Sequence, residues 1–406
     1  MTITNIFNII QYLALVYFGF SAGYILLFAI ASYFYKYSED KEDVNLSRFL
    51  ILIPAYKEDA IILNTALDAL KQDYPPELYD VYVIADSLKP ETIELMRENE
   101  IKCIEVSFQQ STKARSINKA LHVIVGDYDG IIILDADNIM EDDFINNINK
   151  SLANGNKAIQ AHRMAKNLDS NFAILDALSE EINNTIFRKG HIGMGLSSAL
   201  IGSGMAFDFQ VYKSIMEDID TYADEDKELE LKLFINRNKI AYLNHAYVYD
   251  EKVSNSEIFV KQRSRWISSQ IYYARTFLFR SIHDLFVYSN IDLFNKVLQF
   301  LLVPRIMLLG LTTIFTVLSF FFNSSFFFYS WLITLLVCVA ALILSVPLRF
   351  YNRHTLNALL SLPYGFLMMA LAIVKIKLGS KRLSPTPHST SSNTINKKKE
   401  SKKILL

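Results

Sequence analysis

Apolar residues in this chain form two kinds of pattern, and each predicts a different kind of element. Long stretches without charge occupy the two ends: one covers residues 6–35, and three more lie within residues 297–374. Each approaches the roughly 20 residues that a helix needs to cross a bilayer. A single stretch of this kind also fits a buried core helix, but four of them in two terminal blocks favour an integral membrane protein.

The middle of the chain alternates short apolar runs with segments of helical periodicity. Such alternation predicts βαβ units and an α/β fold with a mainly parallel sheet and helices on both faces. The predicted strands are residues 49–53, 81–85, 102–106, 130–134 and 158–161. The predicted helices between them are residues 61–71, 91–99, 116–125 and 142–152. Residues 256–285, rich in arginine and aromatic residues, predict amphipathic helices at a membrane surface.

These patterns divide the 406 residues into five parts. The parts are a transmembrane anchor (1–45), a soluble domain (46–255), interface helices (256–296), a membrane block (297–376) and a basic, disordered tail (377–406). Basic residues follow the first span and none precedes it, which predicts a cytoplasmic middle domain. The frequent use of Asn, Ile and Lys is typical of an AT-rich bacterium, so the expected membrane is the bacterial inner membrane. Four full crossings would conflict with the basic tail, and a re-entrant course for residues 356–374 would remove that conflict.

Composition narrows the function classes only slightly. The formal net charge of −1 gives no reason to expect nucleic-acid binding. The two cysteines, Cys103 and Cys338, fall in a predicted strand and a predicted span, so they support neither a disulfide nor a zinc site.

The motif Asp135-Ala136-Asp137 directly follows the predicted strand 130–134. Side chains two residues apart on an extended segment point the same way, so both carboxylates can face one hard cation. Ligands of open α/β sheets bind outside the carboxyl ends of the strands. Acidic residues also form turns there, and taken alone the motif favours the turn.

Further polar motifs accompany the same elements and reverse that preference. They are residues 54–58, Asp86, residues 113–121, Gly202-Ser203-Gly204, residues 224–229 and Gln262-Arg263-Ser264-Arg265-Trp266. Each alone has a structural explanation as a turn, a loop, a helix start or an interfacial anchor. The spacing of Gln262, Arg265 and Trp266 puts them on one helix face. Chance assembly of the whole ordered set is much less credible than a common site.

This order resembles the membrane-embedded, inverting family-2 glycosyltransferases with the GT-A fold, which include cellulose, hyaluronan, chitin and poly-N-acetylglucosamine synthases. The resemblance covers roughly residues 49–266 and extends to the flanking spans. It implies a hexosyltransferase (EC 2.4 class) that uses a UDP-sugar and Mg²⁺ or Mn²⁺. The partners it implies are the donor, a saccharide or lipid-linked acceptor and the bilayer, with room for a second copy or an accessory subunit.

The resemblance also implies a role for each matching residue. Asp226 would be the general base, and Asp135 and Asp137 would hold the metal and diphosphate. Donor contacts would come from Pro54, Ala55, Tyr56, Glu58, Asp86, Lys113, Asn118, Asp135, Gln262 and Arg265. Acceptor contacts would come from Gly202, Ser203, Gly204, Glu225 and Trp266. One departure is visible, because Asp224 stands where the family has threonine.

Three functions are compatible with these motifs. The leading one is processive elongation of a polysaccharide on the cytoplasmic face, favoured by the Gln262–Trp266 motif directly before a membrane block. The second is transfer of one sugar to a lipid or short acceptor, favoured by the small number of spans. The third is a non-catalytic membrane protein, such as a transporter or scaffold, that binds a nucleotide-sugar. It ranks low because transporters bind their substrates near the middle of the bilayer, whereas the motif residues lie outside the spans.

Overall fold

The computed structural model describes residues 3–36, 44–221, 224–252, 256–322 and 325–376. The tail 377–406, for which the sequence predicts disorder, lies outside these ranges. The strands are β1 Phe49–Tyr56, β2 Tyr79–Asp86, β3 Lys102–Val106, β4 Gly130–Ile133, β5 Ile139–Met140, β6 Ala158–Ala165, β7 Met205–Asp208 and β8 Ile240–Asp250. The helices of the first half are α1 Ile3–Ala31, α2 Ile62–Ala69, α3 Pro90–Glu98, α4 Lys113–Val123, α5 Phe144–Ala153, α6 Asn171–Asn183 and α7 His191–Gly193.

The second half is mainly helical. Its helices are α8 Phe209–Met216, α9 Glu225–Ile235, α10 Ser256–Tyr288, α11 Ile291–Phe300, α12 Arg305–Phe321, α13 Ser325–Ser345, α14 Arg353–Leu359 and α15 Leu362–Val374. A π-helical segment, Asn184–Gly190, joins α6 to α7.

Within the described residues the strands form one eight-stranded sheet in the order β3-β2-β1-β4-β7-β6-β8-β5. The first four strands pair in parallel, as the alternating pattern predicts. The sheet becomes mixed because β7 runs antiparallel to both of its neighbours, and β5 runs antiparallel to β8. The predicted α/β class is therefore confirmed, with β5, β7 and β8 as additions that the strand predictions did not include.

Helices cover both faces of this sheet, which explains why strand β1 is apolar along most of its length. On β1, Leu50 and Leu52 pack on one face with helices α4, α8 and α9. Phe49, Ile51 and Ile53 pack on the other face with α2, α3 and α5. All five side chains are fully buried, so no strand position is left for a polar residue until the strand ends.

The terminal apolar stretches pack together into a helical block. In the part of the chain that the structure describes, two helical segments, Asn8–Phe34 and Ser325–Ser345, are long and apolar enough to cross a membrane. The number rises to four if α11 with α12, bent by 58°, and α14 with α15, bent by 49°, each form one span. The second bend lies in the stretch for which the charge pattern predicts a re-entrant course. Trp331 anchors the block, with its ring centroid 5.9 Å from Phe18 and 4.7 Å from Phe315.

Candidate active site

The carboxyl ends of β1, β2 and β4 meet at one edge of the sheet, and a deep cleft opens beside them. Strand pairing places Tyr56 opposite Asp86 there. The cleft encloses about 1650 Å³. Most of the predicted ligands line it: Pro54, Ala55, Tyr56, Glu58, Asp86, Lys113, Asp135, Asp137, Gly202, Glu225, Asp226, Gln262, Arg265 and Trp266.

Asp86, the last residue of β2, is held by three hydroxyl groups. Ser87 and Ser111 each donate to its Oδ1 at 3.0 Å, and Ser116 donates to Oδ2 at 3.1 Å. Its carbonyl accepts the backbone N–H of Lys57 at 3.1 Å. Lys57 and Ser87 both have positive φ values, 59° and 58°, which non-glycine residues rarely adopt. The two strand ends therefore turn sharply, and this geometry fixes the Asp86 carboxylate at the cleft.

Asp135 and Asp137 lie on a tight turn, which corrects the extended geometry inferred from their spacing. The N–H of Asn138 donates to the Asp135 carbonyl at 3.0 Å and closes the turn. The Asp137 carboxylate is buried; Oδ1 accepts the Asn138 amide at 2.9 Å and Oδ2 accepts the N–H of Glu251 at 3.2 Å. Both carboxylates still line the cleft.

The donor set of this turn fits a divalent cation that shares its coordination with substrate. Hard cations prefer oxygen ligands, and Asp135 and Asp137 offer carboxylate oxygens at the cleft wall. Among the described residues, no group of three or more His, Cys, Asp or Glu side chains is arranged to hold a metal ion. A cation at Asp135 and Asp137 would therefore complete its shell with diphosphate oxygens or water.

Lys113 joins this turn to the opposite wall of the cleft. Its Nζ donates to Asp135 Oδ1 at 2.6 Å and to the Gly202 carbonyl at 2.7 Å, and it lies 3.4 Å from Glu225 Oε1. Burial alone would lower the pKa of Lys113, but Asp135 and Glu225 outweigh it and raise that pKa. Lys113 is therefore a fixed cation among carboxylates, where a substrate phosphate would also be attracted.

Asp224, at the N-terminal end of α9, is the centre of a second ion-pair group. It pairs with Lys227, accepts the Ser269 hydroxyl at 2.6 Å, and lies 3.5 Å from Nε of Arg265. Burial would raise the pKa of Asp224, but Lys227 and Arg265 hold it at about 2. The residue that departs from the family pattern thus ties α9 to the predicted phosphate-binding face of α10.

The next two residues of α9 face the glycine loop. Asp226 Oδ1 accepts the N–H of Lys227 at 2.9 Å, and Oδ2 would lie 3.5 Å from a Cβ at Gly202. Burial and the neighbouring Asp226 raise the pKa of Glu225, and Lys113 only partly opposes them. Gly202, with φ of 83°, leaves the space above Asp226 open where a larger residue would close it.

The helix face predicted from the spacing of Gln262, Arg265 and Trp266 is present on α10, and Arg263 adds to it. Gln262, Arg265 and Trp266 all line the cleft. Arg263 does too, and its guanidinium lies 4.4 Å from the Trp266 ring centroid, within cation–π distance. Arg263 is also paired with Asp176 of α6 at 2.5 Å. The motif therefore presents two guanidinium groups to the cleft.

Three of the predicted ligands do not line the cleft. Asn118 donates to the carbonyl of Ile219 at 2.9 Å, which joins α4 to the end of α8. Ser203 is buried beneath the acidic turn, where its Oγ accepts the Asp135 N–H at 2.9 Å. Gly204, with φ of 62°, lies against β8. These three residues therefore stabilise the elements that form the site, and they do not line the space where a substrate would bind.

Sequence reasoning missed a buried charge network beside the cleft. Arg163 Nη2 pairs with Glu180 at 3.0 Å and its Nε lies 3.4 Å from Asp250. Arg188 pairs with Glu180 at 3.3 Å, and Lys252 pairs with Asp250 at 2.8 Å. The sequence signal that could have indicated this network is Arg163, because a charged residue is unusual in a strand whose other residues are apolar or uncharged.

The cleft continues from the acidic turn into the helical block. Its far walls include Leu309 of α12, Leu342 and Val346 near the end of α13, and Leu362 and Met369 of α15. One cavity therefore has a polar, charged end at the sheet and an apolar end among the helices that resemble membrane spans.

Comparison with known proteins identifies the family of residues 47–269. Residues 47–269 match the family model described as "Glycosyltransferase like family 2". A beta-monoglucosyldiacylglycerol synthase of Trichormus variabilis is 24% identical over 224 residues, which cover 53% of this chain and 47% of that protein. The UDP-forming cellulose synthase catalytic subunit of Komagataeibacter sucrofermentans is 36% identical over 93 residues, covering 22% of this chain and 12% of that one.

The chain thus spans about half the length of the synthase of Trichormus variabilis. Among solved structures, the mannosyltransferase PcManGT of Pyrobaculum calidifontis, in complex with GDP-Man and Mn²⁺, matches with a TM-score of 0.55. It is 15% identical, and the match covers 90% of this chain and 97% of that one. At this identity the likeness shows a shared fold, and that fold includes the helical block.

Proposed function

This chain belongs to glycosyltransferase family 2, and from that premise we propose that it transfers a sugar from a UDP-sugar to a lipid acceptor at the membrane. The observation that carries this proposal is the continuous cleft between the acidic turn and the helical block. A water-soluble donor suits the charged end at the sheet. An acceptor with acyl or prenyl chains suits the apolar end, where its headgroup would reach toward the sheet.

The donor would occupy the end of the cleft formed by the strand termini. Residues 54–58 and Asp86 would contact the uridine and ribose, while Lys113 and Arg265 would bind the diphosphate. Guanidinium and ammonium groups favour phosphate oxygens, and the guanidinium can bind two of them at once. Mg²⁺ or Mn²⁺ at Asp135 and Asp137 would supply neutralisation of the charge that develops on the leaving diphosphate.

Asp226 is the proposed general base. The acceptor hydroxyl must lose its proton as its oxygen attacks the anomeric carbon, and the Asp226 carboxylate would accept that proton. The new C–O bond forms as the bond to the diphosphate breaks, so one displacement inverts the anomeric configuration. Gly202 and Glu225 lie beside Asp226, and together with Trp266, which lines the same cleft, they would orient the acceptor.

The membrane arrangement is part of the same proposal. Residues 1–45 and 297–376 would form the membrane block, residues 46–255 a cytoplasmic catalytic domain, and residues 256–296 the interface helices. UDP-sugars are cytoplasmic metabolites, so a cytoplasmic donor site agrees with the basic residues that follow the first apolar stretch.

Polysaccharide elongation, which the sequence motifs favoured first, becomes the second candidate. The identity to a cellulose synthase catalytic subunit over 93 residues favours it specifically. The names of the glucosyldiacylglycerol synthases, over a longer match, favour the lipid acceptor.

The test uses the purified full chain in lipid nanodiscs with a panel of UDP-sugars and either Mn²⁺ or Mg²⁺. We expect a singly glycosylated lipid, and a ladder of lengthening products would establish elongation instead. Asp226→Asn should lower the turnover number roughly 10²–10⁴-fold. The matched control Asp218→Asn changes an exposed carboxylate in the turn that follows α8 and should leave turnover intact. Unchanged turnover in Asp226→Asn would exclude that residue as the base.

A further inference from the structure

Three arginines from different elements converge on the cleft where its polar and apolar ends meet. They are Arg188 of the π-helical segment, Arg263 of α10 and Arg305, the first residue of α12, and they are called the arginine cluster below. Arg305 lies outside the residues 47–269 that match the family model, so the family assignment gives this residue no role.

Helix α6 holds this cluster together through one polar face. Asp176 pairs with Arg263 at 2.5 Å, and Glu180 pairs with Arg188 at 3.3 Å. Ser179 accepts Arg305 Nη2 at 3.0 Å on its hydroxyl and at 3.1 Å on its carbonyl. These three α6 residues are spaced i, i+3 and i+4, and all line the cleft.

The cluster carries more donors than the protein satisfies. Nε of Arg188, Nε of Arg263 and Nη1 of Arg305 are buried, and none has a hydrogen-bond partner among the described residues. Arg305 has no ion pair with any described carboxylate, whereas Glu180 is already shared by Arg163 and Arg188. A buried cation without a counter-charge is costly, and it persists in proteins mainly where function requires it.

The position of the cluster indicates what would complete it. Arg305 begins α12, and Leu308 of the same helix is buried in the apolar core of the helical block, so Arg305 belongs to the membrane side of the cleft rather than to the donor side. Arg263 stacks on Trp266, which faces the proposed acceptor. The apolar walls at Leu309 and Met369 begin beyond it. An anion seated here would be attached to a hydrophobic chain, and several guanidinium groups suit a phosphate best because each can bind two of its oxygens.

We propose that the arginine cluster binds the phosphate of a phosphate-bearing lipid, so that the acceptor is an anionic lipid rather than a neutral diacylglycerol. This inference rests on the proposed function, because it names the acceptor class for the same cleft. The phosphate can belong to a glycerophospholipid, whose headgroup hydroxyl would attack the sugar and give its proton to Asp226. It can also belong to a polyprenyl phosphate, whose own ionised phosphate oxygen would attack without needing a base. Both present the same group to the cluster at the end of an apolar chain.

Binding and transfer are measured separately on the full chain in detergent micelles. The probes are farnesyl phosphate, dioctanoyl phosphatidylglycerol and the neutral dioctanoylglycerol. We expect at least one phosphate lipid to bind tenfold or more tightly than the neutral probe. Arg305→Gln should weaken that binding roughly tenfold to a hundredfold without changing the affinity for UDP, and Arg305→Lys should fall between the two. Preference for farnesyl phosphate identifies the prenyl source, and preference for phosphatidylglycerol identifies the glycerophospholipid.

Arg280→Gln is the matched control, because Arg280 is an exposed arginine on the distal part of α10. Removing an uncompensated cation should leave the unfolding temperature of Arg305→Gln equal to or above that of wild type. Equal binding of neutral and phosphate lipids, equal behaviour of the two variants, or a marked loss of stability in Arg305→Gln would each overturn the proposal. Absence of sugar transfer to every acceptor would overturn the proposed function instead, and the binding data would still decide the role of the cluster.

Discussion

Replacing Asp224 by asparagine tests whether this carboxylate fastens α9 to α10 across the cleft. The carboxylate contacts Lys227, Ser269 and Arg265, and only 12% of its side chain is exposed. Asparagine has nearly the same volume and can still accept the Ser269 hydroxyl. The substitution therefore removes the charge and little else.

The expected loss of stability follows from the pKa of Asp224. A fall from 3.8 to about 2 on folding corresponds to about 2 kcal/mol of stabilisation at neutral pH. Because the folded-state pKa is the lower one, this stabilisation is complete above about pH 4 and is lost as the pH falls toward 2. We expect Asp224→Asn to unfold roughly 4–8 °C below wild type near pH 7.

Thermal unfolding of the purified chain, followed by tryptophan fluorescence from about pH 7 down to about pH 3, measures this difference. Ser269→Ala should cost about 1 kcal/mol, since it removes one hydrogen bond to the same carboxylate. Asp218→Asn is the control for an exposed carboxylate. Equal unfolding temperatures for Asp224→Asn and Asp218→Asn at neutral pH, or a gap that widens below pH 4, would refute this account of Asp224.

Two further predictions concern Glu225, which follows Asp224 in the chain, and Gly190 of the π-helical segment. Burial and Asp226 raise the pKa of Glu225, so the ionised form of Glu225 destabilises the fold at neutral pH. Glu225→Gln should therefore unfold at the same temperature as wild type or a higher one, while sugar transfer falls. A lower unfolding temperature would contradict this. A Cβ at Gly190 would lie 2.2 Å from the Phe28 carbonyl oxygen, so Gly190→Ala should destabilise the packing against α1 by roughly 1–3 kcal/mol. Gly23→Ala, which meets nothing within 4 Å, is the control, and equal unfolding temperatures for the two variants would refute the packing argument.

The strand predictions succeeded where burial is complete. Phe49 to Ile53 are buried on both faces, so the apolar run itself identifies the strand. Asp86 and Asp135 stand at the ends of strands whose central residues are buried, and this predicted the edge where the cleft lies. The short strands β5 and β7 carry too little periodicity to be recognised, and their pairing depends on β8 and β4, far away in the chain.

Within the site, local spacing was reliable only inside one element. Gln262, Arg265 and Trp266 share a helix face because helical geometry requires it. Asp135 and Asp137 were expected on an extended segment, but Ser203 binds the Asp135 N–H from another part of the chain and supports a turn. Ser203 itself therefore lies under the site, a position that no pattern around Gly202 indicates.

The sequence by itself determined the α/β class, the two apolar terminal blocks and the residue types at the charged end of the cleft, because each depends on periodicity or on neighbours within one element. Only the tertiary structure decided how charges pair across elements. Asp224 meets Arg265, Glu180 is shared by Arg163 and Arg188, and Arg305 reaches Ser179. Electrostatic partners are chosen by distance in space, and that distance is set by the packing of the sheet against the helical block.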